Sequence, residues 1–502
     1  MLGAKDKPLK IFLIIFDTLR KDHTGKVYGN DWIHTPNFDS FANECLVFDK
    51  AYPESLPTIP ARRSIYTGIR TSHYFSSPPK NYRTDDLVVL VGRVPGWYPI
   101  PHDQKHIPEY LSPRYESILI SSLYHQFKPN MNFHLGFNQW NWIRGHETDK
   151  FKIGLIVPLK EMKTRVESSL ETSLFTPTDD SVEAIHNKVQ KLTVDAFLRN
   201  VQTFGEEGFI PSQTFNKAIE VVEETLHKQI FLLIEEFAPH EPWEPARKYR
   251  DLYLKNYMGN NIIQPRYRDN ITYLTREELR CLRANYAGEV TQCDIAFGRF
   301  IDYLKNKKIY DDSLIILTSD HGFSIGEHNY TGKIPLAMYP ELIDIPFLIK
   351  PPGDSINGSK RISKSYIYHH DILPTILGFI NAEIPDVFEG IDLSIFVNES
   401  DHLIEGRDYI TICMHAASLY KDDNWALIIA NDESVKKLFN LKEDPEWKVN
   451  VAEDHPDIVK ACFEKIKEDV REPLFQEEDV DAAKMMEWYQ IISEHKIDWE
   501  DQ

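Results

Sequence analysis

Cysteine is scarce in this chain: five among 502 residues (Cys45, Cys281, Cys293, Cys413 and Cys462), none in paired spacing. That excludes a disulfide framework and a zinc-finger pattern, and it leaves buried free thiols as the expectation. Positive charge is also short. Lys and Arg number 57 against 77 Asp and Glu, a formal net charge of −20. Nucleic acid is therefore not expected as a partner, because phosphate-backbone binding needs clustered Lys and Arg. A small anionic substrate is not excluded, since a metal ion and a few cations can dominate a local site. Long hydrophobic runs are missing too. Ile11 to Phe16 is apolar but ends at Asp17, with no small-residue cleavage site after it. It is too short for a signal sequence or a membrane span and reads as a buried parallel strand. No membrane partner and a cytoplasmic location are expected. A homo-oligomer is left open, and no internal repeat or low-complexity tract stands out.

What is present supports sizeable cores: 42% of residues are hydrophobic and 12% aromatic. The length suits one large domain with a smaller one. IFLIIFD, KQIFLLIEEF (228–237) and SLIILTSDHG are apolar strands alternating with helices such as the one around Leu279–Asn306, which predicts a mostly parallel sheet. TPNFDSFANECLVFDKAYP reads as helix then strand, TIPARRSIYTG as a helix with Pro60 tolerated in its first turn, and ESILISSLYHQF as strand. Residues 75–110 are irregular, and 150–228 form a charged, helical lid or insertion. After about residue 400, YITICMH, WALIIAND and KKLFNL read as short antiparallel strands, followed by a helix from Pro456 to Val470. The predicted division is a catalytic domain over 1–400 and a small α+β domain over 401–502 with an acidic tail.

Three apolar strands end in Asp17, in a loop with His240, and in Asp320 with His321. Carboxylate and imidazole suit a divalent cation. One such strand end is a turn or cap residue by default; three together are not.

The motifs that follow are specific. PTIPARRSIYTG resembles the sulfatase signature, Cys/Ser-x-Pro-x-Arg followed by Thr-Gly, through Pro60, Arg62, Thr67 and Gly68, with Thr58 at the Cys/Ser position. LIILTSDHGFSIGEHNYTGK is similar to the family's Ser-Asp-His-Gly turn with Gly332–Lys333 downstream, and APHEPWEP to its Pro-His-x-Pro segment. HHDILPTIL and LFNLKEDPEWKVNVAED resemble two further family segments, so the likeness runs in order over about residues 10–460.

The resemblance implies an α/β, alkaline-phosphatase-like sheet sandwiched by helices. It also implies one divalent cation (Mn, Ca, Mg or Zn) on Asp17, Asp320 and His321, with Thr58 Oγ1 as a further ligand. Coordination lowers the pKa of a hydroxyl, which would make Thr58 a nucleophile near neutral pH. Arg62 would pair with the nucleophile or a substrate oxygen, Lys333 would neutralise the transferred group, and His240 would face the leaving group as acid or hydrogen-bond donor. His125 would stand for the family's Lys-x-His pair, whose lysine is absent. Arg63 reads as a surface helix residue, and His23, His328, His369 and His370 carry no assigned role.

Two departures bear on the chemistry. Many sulfatases have two aspartates after the first strand; here the pair is Asp17–Thr18. Threonine, a secondary alcohol, cannot become the formylglycine of sulfatases, and it points to the phosphate-handling side of the superfamily. A second cation could be written onto Glu236, His240 and His370, but Lys333 argues for one. The expected activity is hydrolysis of a sulfate- or phosphate-type ester through a covalent Thr58 intermediate. The rivals are a non-catalytic anion binder and a transferase or mutase on the same site.

Overall fold

A computed structural model describes residues 10–71, 96–127, 130–147, 149, 151–152, 154–155, 157–158, 164–165, 193–201, 209–353, 356, 358–398, 406–471 and 474. The acidic tail, residues 72–95 and most of the 150–208 part of the predicted 150–228 insertion lie outside them.

The core is an eight-stranded sheet. Its strands are β1 (Lys10–Phe16), β2 (Leu46–Phe48), β5 (Glu116–Ser121), β6 (Gln139–Trp142), β7 (Ile230–Glu236), β8 (Ser313–Ser319), β11 (Phe347–Lys350) and β12 (Lys360–Ile362), in the order β12-β2-β11-β8-β1-β7-β5-β6. From β8 to β6 neighbouring strands run parallel, whereas β11 is antiparallel to both β8 and β2. Every residue of β1, β7 and β8 is buried, as their unbroken apolar runs require of strands covered on both faces. The two faces carry separate cores. Ile11, Leu13 and Ile15 point into one and Phe12, Ile14 and Phe16 into the other, the period-two alternation of a pleated strand.

Six helices matter for the site and its frame: α1 (Pro36–Ala42), α2 (Thr58–Thr67), α3 (Ile210–Glu224), α4 (Arg276–Asn306), α5 (Ile372–Phe379) and α6 (Pro456–Val470). The long helix α4 begins with a capping box, Thr275 and Glu278 satisfying each other's backbone N–H groups. The second sheet is β17-β16-β15-β14-β4, built from β14 (Ile410–Met414), β15 (Ala417–Lys421), β16 (Trp425–Ala430) and β17 (Lys436–Asn440), antiparallel to one another. Its last strand, β4 (Ser55–Leu56), lies just before α2 and pairs in parallel with β14, so the chain that delivers Thr58 is stitched to the C-terminal sheet. Short pairs join β3 (Ala51–Tyr52) to β13 (Ile367–Tyr368) and β9 (Ser324–Ile325) to β10 (Thr331–Gly332). All five cysteines are buried and free. Among the described residues no helix is long and apolar enough to cross a membrane.

Candidate active site

Strand register creates the site. Phe16 lies opposite both Ser319 and Glu236, so the next residues along, Asp17 and Asp320, leave adjacent parallel strands side by side. Open parallel sheets place their chemistry at this carboxyl edge. Asp17, Asp320 and His321 each offer a ligand atom, all within 4.8 Å of one another, and form the one such group among the described residues.

These residues fit a divalent cation on the structure's own terms. Both carboxylate oxygens of Asp17 are buried without a hydrogen bond, and so is Thr18 Oγ1 beside them. Buried polar atoms are almost always paired, and Arg62 at 3.1 Å from Oδ2 leaves Oδ1 unanswered, so Asp17 has room for a further positive partner. Burial and the neighbouring Asp320 push the Asp17 carboxyl well above the usual range. For Asp320 burial pushes the same way, but His321 and Arg62 outweigh it and hold the carboxyl down at about 2. Thr18 has φ 57, a left-handed conformation costly for a β-branched residue, and the fold over-determines it. Its N–H donates to Asp320 Oδ1 at 3.0 Å, and its carbonyl accepts from Tyr286 of α4 at 2.7 Å.

Thr58 is the first residue of α2 and is 2% exposed. Its Oγ1 sits 3.3 Å from His321 Nε2. His321 Nδ1 donates to the Gly322 carbonyl at 2.9 Å, so Nε2 keeps its lone pair towards Thr58. The helix N-terminus adds a positive dipole end at the same place. Gly322 completes the turn because a Cβ there would lie 2.0 Å from the Glu341 carbonyl oxygen. At the other end of α2, Gly68 takes φ 67 against Leu373, which is why the signature ends in Thr-Gly.

Arg62, one turn along α2, is fully buried and binds several groups at once. Nε donates to Glu235 Oε2 at 2.9 Å; Nη1 donates to Asp320 Oδ2 and, at 3.2 Å, to the Thr58 carbonyl, and lies 3.1 Å from Asp17 Oδ2. Burial opposes its charge, and Glu235, Asp320 and Asp17 more than offset that. Nη2 has no hydrogen-bond partner among the described residues.

On the far side of β1, Lys333 Nζ lies 2.7 Å from His240 Nε2. His240 Nδ1 donates to the Glu241 carbonyl at 2.6 Å, so Nε2 accepts from the ammonium. Burial and the Lys333 charge push the His240 pKa well below its ordinary value, which favours the neutral ring. Lys333 also lies 3.9 Å from Glu241 Oε1 and over the rings of Tyr267 and Phe323. His125, after β5, pairs with Glu147 at 3.0 Å.

Some expectations change. Arg63 is not a surface residue. It is 1% exposed and donates to the Tyr98 carbonyl at 2.9 Å, because α2 is buried on every side. Glu236, His240 and His370 do not assemble as a second cation site: Glu236 takes the Ser122 hydroxyl and the Ala238 N–H, while His370 lies by Arg407. His369 supports Ser319 at the end of β8 through a 2.8 Å contact to its carbonyl; His23 pairs with Asp22, and His328 stacks on Tyr339. Sequence reasoning missed Glu235, Glu241, Tyr267 and Glu147. Glu235 had a readable signal, a paired acid closing an apolar strand; the other three stand in loops.

A mostly parallel α/β sheet with a carboxylate–imidazole cation group beside a helix-terminal hydroxyl defines an ester hydrolase of the alkaline phosphatase superfamily. The sulfatase family profile matches residues 10–382. The chain belongs to the sulfatase family. It is 27% identical over 480 residues to an arylsulfatase of Clostridium perfringens (strain 13 / Type A), covering 88% of this chain and 89% of that one. It is 24% identical over 504 residues to the multifunctional alkaline phosphatase superfamily protein PehA of Trinickia caryophylli, covering 88% and 91%. The fold is that of the phosphonate monoester hydrolase of Agrobacterium radiobacter, at TM-score 0.65 and 17% identity over 93% of this chain and 95% of that one.

Proposed function

We propose that this protein hydrolyses sulfate- or phosphate-type esters, with phosphate mono- and diesters and phosphonate esters favoured, through a covalent ester on Thr58. The observation that carries the reading is the position of Thr58 Oγ1, buried at a helix N-terminus 3.3 Å from His321 and beside Asp17 and Asp320. Asp17, Asp320 and His321 would hold a divalent cation, in this reading one ion of Mn, Ca, Mg or Zn, whose Lewis acidity would let the Thr58 hydroxyl give up its proton to solvent before it attacks. Thr58 attacks the central sulfur or phosphorus while the bond to the leaving-group oxygen breaks. Lys333 gives its proton to that oxygen, and Arg62 Nη2 donates to a non-bridging oxygen. Water then attacks the Thr58 ester and passes a proton to the Lys333 amine, and the Thr58 oxygen is released. Threonine favours phosphorus because it lacks the aldehyde hydrate that expels sulfate in formylglycine enzymes. The multifunctional and phosphonate-hydrolysing relatives support that preference.

The test is a panel of aryl phosphate mono- and diesters, phosphonates and sulfates run with each cation on wild type and Thr58→Ala. Loss of turnover on every ester with unchanged melting supports the reading; an undiminished Thr58→Ala rate overturns it.

A further inference from the structure

The sheet order lays the site out as a row. Asp320 follows β8, Asp17 follows β1, Glu235 and His240 belong to β7 and its loop, His125 follows β5 and Glu147 follows β6. A substrate whose transferred group sits at Asp17 and Asp320, with its bridging oxygen at Lys333, therefore sends its leaving group towards β5 and β6. There it meets His125 and Glu147, whose side chains are 22% and 19% exposed, so this end of the row is open.

Glu147 Oε2 takes His125 Nε2, and Oε1 makes no hydrogen bond to any described residue. Burial opposes the Glu147 charge, but His125, Lys333 and His146 outweigh it, so the carboxyl stays ionised below its usual range. The permanent cations nearby already face carboxylates: Arg62 meets Glu235 and the two aspartates, and Lys333 meets Glu241. An anionic leaving group thus finds no unpaired cation here. Trp97, Tyr124 and Phe237, all buried, pack against His125 with ring centres 4.0 to 5.9 Å from it and hold it in place beside Glu147. His146, the preceding residue, is 4% exposed, packs against Phe237 and has no hydrogen-bond partner for Nδ1 among the described residues.

We infer that Glu147 is a specificity-determining residue that selects esters whose leaving group carries a positive charge, an ammonium or quaternary ammonium facing its free Oε1. A part-exposed carboxylate with one unengaged oxygen attracts such a cation at short range. The inference rests on the ester-hydrolase reading and names its substrate class.

The test uses three aryl esters of one phosphorus group that differ only at a remote ring position: trimethylammonium, its neutral tert-butyl isostere, and carboxylate. Wild type should favour the cation over the isostere by about tenfold or more in kcat/KM and disfavour the anion, the order expected of one fixed charge at short range. Glu147→Gln should reduce the cation-to-neutral ratio about tenfold, whatever happens to the absolute rates. An equal loss on all three esters would mean that Glu147 only positions His125, and it overturns the proposal. So does a wild type without the preference. If none of the esters turns over, the hydrolase reading fails by itself; the same ratio is then read from calorimetric Kd values, where equal affinities for cation and isostere overturn this inference and a lost preference in Glu147→Gln supports it.

Discussion

Removing the divalent cation should cost stability that can be calculated from Asp17. Oδ1 is buried with no partner among the described residues, while Oδ2 has the Arg62 ion pair at 3.1 Å. An unsatisfied buried polar atom costs about 1–3 kcal/mol, so filling Oδ1 is worth about that much. Unfolding entropy near 60 °C is about 2.1 cal/mol/K per residue, which for 502 residues comes to about 1 kcal/mol/K. Chelation should therefore lower Tm by about 1–3 °C if the chain melts as one unit, and by more if the sheet melts as a smaller one. Mass action agrees: a cation at a hundred times its Kd stabilises by about 2.7 kcal/mol. The assay is thermal unfolding of chelated protein titrated with Mn²⁺, Ca²⁺, Mg²⁺ and Zn²⁺, on wild type and Asp17→Asn. Wild type should gain that much with at least one ion, and Asp17→Asn should lose most of that gain. A wild-type Tm that no ion moves, or an Asp17→Asn gain equal to wild type, refutes the reasoning.

Lys333→Ala should lower kcat by about 10²–10⁴, the range for general-acid catalysis, with the smallest loss on nitrophenyl esters, whose leaving groups need no proton. A loss independent of leaving-group pKa would contradict that role. Glu289 on α4 is 6% exposed, and burial pushes its carboxyl up to about 8. From about pH 4.3, its unfolded value, to about 8, the folded chain holds a proton that the unfolded chain lacks, so stability falls as pH rises, by up to about 1.4 kcal/mol per unit. Glu289→Gln removes that slope. Its melting temperature relative to wild type should climb from pH 5 to 8 and level off above; a constant difference would contradict the prediction.

The framework of the site was legible because its strands are buried on both faces. β1, β7 and β8 could only be written as apolar runs, and the polar residues closing them stood out against that background. Thr58, Arg62 and Lys333 were legible through motif spacing, and the structure brings Thr58 and Arg62 to the carboxylates. The leaving-group end was not. Glu147 and Tyr267 come from segments without periodicity; the pairing of β6 at the sheet edge places Glu147, and the Arg268–Thr331 bridge places Tyr267 beside β10, both contacts between residues far apart in sequence. Arg63 was misread because a charged residue on an amphipathic helix normally faces water, whereas α2 has no wet face. The neutral state of His240 depends on which nitrogen meets the Glu241 carbonyl, and spacing alone does not specify that.

The central claim is a bond between Thr58 Oγ1 and the transferred group. Rapid acid quench during turnover of a phosphonate or phosphate aryl ester, followed by peptide mass analysis, tests it directly. The account predicts one equivalent of the phosphorus group on the peptide carrying Thr58, formed together with a burst of aryl alcohol. A burst with the adduct on another residue, or steady turnover in which Thr58→Ala keeps pace with wild type, would contradict it.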